Sequence, residues 1–96
     1  MAEPPFTLAA IEAMSVAEID ALDAEAIHAA AAAVPSLDEG ALEEFVVALD
    51  LLKEHKQYAA ADAYDNGDVD LSERLAAAAN AAIVALAAAK AELQER

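Results

Sequence analysis

Cysteine and tryptophan are absent, and only two glycines, three prolines and four aromatic residues (two Phe, two Tyr) occur in 96 residues. Without cysteine there is no disulfide framework, no thiolate nucleophile and no thiolate zinc site. With so few large aromatics, any core must be thin. Basic residues are scarce as well: five Lys and Arg stand against nineteen Asp and Glu, for a formal net charge of −14. That balance disfavours direct binding to nucleic acid or anionic lipid, because it repels phosphate. The longest uncharged run, Leu75 to Ala89, falls short of the roughly 18–20 residues that span a bilayer, so no transmembrane segment is expected. The N-terminus carries Glu3 and Glu12 and no basic residue, unlike a signal peptide. A cytoplasmic location, or one inside an assembled particle, is the expectation.

Present instead is an apolar fraction of 59%, dominated by alanine. Alanine is the best helix former and loses almost no side-chain entropy on folding, but it buries little area. A disordered acidic tail would be poor in apolar residues, and this chain is not. The composition therefore points to a helical protein with an anionic coat. Salt adaptation or a high-GC genome would give the same excess of Ala, Asp and Glu, which leaves open whether the coat binds anything.

Punctuation and periodicity define the expected elements. Pro4-Pro5 marks an extended leader over residues 1–6, and Thr7 can cap a short helix over 7–14. Ser15-Val-Ala-Glu18 has the form of a capping box, opening a helix over 16–34 that Pro35 stops. Ser36-Leu-Asp-Glu39 has the same form and opens the longest helix, 37–64. There Leu42, Phe45, Leu49 and Leu52 follow the three-then-four spacing of a helical stripe, widened by Val46 and interrupted by Lys56. The Lys56 stem is expected to lie along the core with its ammonium in water. Asp65-Asn66-Gly67 suits a helix C-terminus, and Asp70-Leu-Ser-Glu73, with Ser72 as an alternative cap, opens a last helix over 71–94. No alternating β pattern competes. The expected fold is all-α, a small bundle of three main helices plus a short N-terminal one, with the alanine runs where backbones approach closely.

Residues 62–73, DAYDNGDVDLSE, resemble in part the twelve-residue calcium loop of the EF-hand family. Asp62, Asn66, Asp70 and Glu73 fall at oxygen-supplying positions 1, 5, 9 and 12, and Gly67 at the turn position. Tyr64 departs from the pattern where the family supplies an oxygen. The resemblance implies a degenerate calcium site, while the helix-end reading accounts for the same letters without a metal.

No nucleophile, base and orienting group stand together, so no enzyme and no cofactor are expected. Ser15, Ser36 and Ser72 have capping roles, and His28 and His55 lie on different helices. The expected function is a non-enzymatic assembly or interaction protein, for example a component of a phage or virus particle. It would pack on its own copies or on a partner through the stripe Leu42, Phe45, Val46, Leu49 and Leu52, beside Glu43, Asp50 and Glu54. The alternative is an acidic mimic of nucleic acid that occupies a basic DNA- or RNA-binding protein, in the manner of an anti-restriction or anti-CRISPR inhibitor.

Overall fold

A computed structural model describes residues 6–96; the leader residues Met1–Pro5 lie outside them. The fold is all-α, as the composition indicates. Its elements are α1 (Leu8–Ala13), α2 (Val16–Ala21), α3 (Ala24–Ala31), a 3₁₀ turn (Val34–Ser36), α4 (Glu39–Asp65) and α5 (Val69–Glu95). Helices α4 and α5, each of 27 residues, pack against each other as a hairpin about 40 Å long at 1.5 Å per residue. Helix α3 lies on α5, while α1 and α2 lie on α4.

The helix expected over 16–34 is two helices. Leu22 takes an extended conformation (φ −76°, ψ 97°), and the Asp23 carboxylate accepts from the Ala26 amide at 2.8 Å. Asp23 thus starts α3, and the break lets α2 rest on α4 while α3 turns to α5. An N-terminal carboxylate is favoured both by the exposed amides and by the helix dipole. Two expected caps are also displaced. Asp38, not Ser36, caps α4 by accepting from Ala41 N at 2.8 Å, and the Ser36 hydroxyl donates back to Ala33 O. Asp68, not Asp70, caps α5 by accepting from Leu71 N at 3.1 Å. Ser72 instead ties the two long helices together, its hydroxyl donating to Ala60 O at 2.9 Å. The first box forms as expected: Ser15 Oγ accepts from Glu18 N at 3.2 Å, and Glu18 Oε1 accepts from Ser15 N at 3.4 Å.

The α4–α5 turn depends on Gly67 at φ +82°. Gly67 N donates to Tyr64 O at 3.0 Å and Asp68 N to Ala63 O at 2.8 Å. This pair of bonds is the Schellman arrangement, which needs one left-handed residue.

Around the hairpin the core is thin. Ile11, Ile27, Leu42, Phe45, Leu49 and Leu52 are its large members, all essentially inaccessible. Phe6, at the end of the expected leader, packs its ring on Phe45 with centroids 6.0 Å apart. On α5 the buried side is mostly alanine: Ala78, Ala81, Ala82, Ala85 and Ala89. Small side chains there suit close helix packing, although of the runs 29–33 and 76–79 only Ala78 and Ala79 are buried. Helix α5 is long and apolar enough to cross a membrane by length and composition, with a window of mean hydropathy 1.4. Of that window 44% is buried against the rest of the chain.

Two stability outcomes are expected. Gly67→Ala meets no steric clash, since nothing lies within 4 Å of the added methyl, so its cost is conformational only. It should lower stability by about 1–2 kcal/mol in chemical denaturation. Leu49→Ala, at a fully buried position, should cost about 2–5 kcal/mol in the same measurement.

Candidate functional site

The apolar stripe expected to meet a partner is the chain's own core. Leu42, Phe45, Leu49 and Leu52 are completely buried and Val46 half-buried, so these side chains offer little or nothing to a second molecule. The stripe is covered by α5 on one side and by α1 and α2 on the other. Glu43, Asp50 and Glu54 are exposed, and Asp50 pairs with Lys53 at 3.0 Å.

The calcium reading is also corrected. Asp62 lies within α4, and Asp70 and Glu73 lie within α5, with only Asn66, Gly67 and Asp68 between the helices. A twelve-residue loop cannot wrap an ion when most of it is helical. Among the described residues, no group of three or more His, Asp or Glu side chains is placed to hold a metal. The helix-end reading of Asn66-Gly67 accounts for the segment. His28 and His55 are both exposed and lie on α3 and α4.

Two surface features were not legible as sites. The first is the outer face of α5. Positions 76, 80, 83, 84, 87, 88 and 91 fall on one side at 100° per residue, and all are exposed. They are Ala76, Asn80, Ile83, Val84, Ala87, Ala88 and Ala91, with Ile83 and Val84 exposed by 41% and 58%. Along about 22 Å of helix, this face carries no acidic residue and one base, Lys90 at its margin. In a chain of net charge −14, an acid-free face of that length is unusual.

The second feature is a cavity of about 280 Å³ where α1 and α2 meet α4. Ile11, Met14, Val16, Ile19 and Ala59 form its apolar lining. Glu12, Asp20, Asp62, His55 and Tyr58 supply its polar groups. Val16 and Tyr58 are both about three-quarters exposed. Val16 of α2 and Tyr58 of α4 share this lining because the break at Leu22 lets α2 rest on α4.

Ile19, which lines this cavity, is also the partner of Lys56. The Lys56 side chain is completely buried, and its ammonium donates to the Ile19 carbonyl at the C-terminal end of α2. The expectation of an ammonium in water is thus overturned: α2 covers it. The Ile19 carbonyl also accepts from Leu22 N, and a helix C-terminus favours a cation. Burial lowers the Lys56 pKa below its ordinary value of 10.5, while Asp20 and then Asp23 act in the opposite direction. The folded state therefore binds fewer protons than the unfolded chain between the lowered pKa and 10.5, and across that window Lys56 makes stability rise with pH.

No protein-family model, curated protein or solved structure matches this chain.

Lys56→Met keeps the stem volume and leaves the Ile19 carbonyl its bond from Leu22. It should unfold at or above the wild-type Tm at neutral pH, because it removes a buried charge with its neutral replacement packed in place. The difference between wild type and Lys56→Met, followed by thermal melts, should then shift in the wild type's favour as pH rises towards 10.5.

Proposed function

We propose that this chain is a non-enzymatic assembly module that packs on further copies of itself through the outer face of α5. The observation that carries the proposal is the acid-free strip from Ala76 to Ala91 on a protein of net charge −14. Two such molecules repel through nearly any other pair of surfaces. Along this strip they meet through alanine, Ile83 and Val84, whose small or flat side chains suit close helix packing. One helix face of about 22 Å is small against the roughly 800 Å² per partner of a standard interface. A single pairing is therefore weak, and a repeated array, as in a particle or other multi-subunit body, would gain strength from effective concentration.

A second reading rests on the carboxylates. Only two ion pairs occur among the described residues, Lys53 with Asp50 and Arg96 with Glu92 at 3.2 Å. Glu43, Glu44 and Glu54 stay exposed on α4 without one. Such a face would attract a basic nucleic-acid-binding protein as an acidic mimic.

Sedimentation velocity across protein concentration and salt separates the two. Assembly through α5 should grow with concentration and persist, or strengthen, in molar salt, where the Debye length falls to about 3 Å. The exposed substitutions Val84→Glu and Ala87→Glu should abolish it while leaving the helical signal and the melt intact. A wild type that stays monomeric to millimolar concentration at high salt defeats the self-assembly reading. Salt-labile capture of a basic nucleic-acid-binding protein, lost in Glu43→Gln/Glu54→Gln, would support the mimic instead.

A further inference from the structure

We infer that the cavity between α1, α2 and α4 is a binding site for a small amphipathic organic cation, an aliphatic chain ending in an ammonium or guanidinium group. It is lined by no residue of α5, so it is independent of the assembly face. The volume of about 280 Å³ corresponds to about nine water-sized spaces of about 30 Å³ each, enough for a chain of about six carbons and a nitrogen. The lining divides by chemistry. Val16 and Ile19 with their apolar neighbours provide a surface for methylene groups, and Val16 stays 75% exposed in the free protein. Water covering such a recess is released when an aliphatic chain replaces it. Glu12, Asp20 and Asp62 come to the same cavity from three helices, and none makes an ion pair among the described residues. The exposed ring of Tyr58 adds a face suited to a cation.

The opposing charge is Lys56, which is not on the lining. Its ammonium is engaged by the Ile19 carbonyl, and three carboxylates outnumber it. A cationic head group at the rim thus meets a net negative potential while its chain enters the apolar recess. An anion or a neutral polar ligand gains from only one half of this lining.

The experiment is an NMR titration of the full chain with n-hexylammonium, 1-hexanol and hexanoate, reading the Ile11, Val16 and Ile19 methyl groups and the His55 ring. Hexylammonium should give saturable shifts in the millimolar range expected for so few ligand atoms. Hexanol should bind about tenfold more weakly, and hexanoate more weakly still. The double substitution Glu12→Gln/Asp62→Asn, at exposed positions, should bring hexylammonium down to the level of hexanol with the methyl spectrum otherwise preserved. Val16→Asp should weaken both ligands. Nα-acetyl-lysine amide, titrated alongside, identifies the source of the cation. Binding tighter than hexylammonium assigns the site to a basic side chain on a partner, and weaker binding assigns it to a free amine. Equal shifts from hexylammonium and hexanol, or shifts unaffected by Glu12→Gln/Asp62→Asn, would overturn the inference, as would no saturable shift from any of the ligands.

Discussion

The packing of α5 on α4 is the constraint on which everything else depends. A chain with two Phe, two Tyr and no Trp has little large apolar surface to bury, so it must bring backbones close instead. The buried alanines of α5 do this, and the Schellman turn at Gly67 sets the two helices antiparallel over their full length. Once the hairpin exists, α4 still has an uncovered apolar stripe, and α5 still has a flank. Residues 6–37 are spent covering them, with α1 and α2 on α4 and α3 on α5. Val34 and Leu37, both buried, carry the chain from that cover into the hairpin.

Closing α2 over α4 has an electrostatic cost that the structure meets locally. It buries Lys56, and a buried ammonium needs both a hydrogen-bond partner and a favourable field. The end of a helix provides the two together: the Ile19 carbonyl accepts, and the α2 dipole is negative there. Asp20 and Asp23 add charge of the right sign just beyond. The break at Leu22 is therefore more than a kink. It ends α2 where the lysine needs a carbonyl and starts α3 on an acidic cap. The same closure leaves the adjoining recess between α1, α2 and α4, so the cavity and the buried cation share one origin.

Charge distribution has a similar logic. Nineteen acidic residues on a small helical body discourage most contacts, and the ones left possible are defined by where acid is missing. On α5 it is missing along a whole face. At the cavity it is concentrated around an apolar floor. In the proposed readings the first would meet a like surface and the second an opposite charge.

The all-α class, the existence of α1, α4 and α5, the capping box at Ser15 and the helix end at Gly67 were all legible in the sequence. These features depend on periodicity and on interactions within three or four residues of chain. The division of 16–34, the caps at Asp38 and Asp68 and the burial of Lys56 were not. Several residues in each region could cap, and the choice among them is made by which start lets the helix reach its neighbour. Leu42, Phe45, Leu49 and Leu52 were legible as an apolar stripe, but a stripe does not record whether its own chain or another covers it. The cavity joins residues of α1 and α2 to residues about forty positions later, and Ile19 meets Lys56 across 37. Local sequence determined which segments are helices and how much charge they carry. Only tertiary packing decided which faces were buried and which were left open, because burial is a property of two surfaces and a sequence pattern describes one.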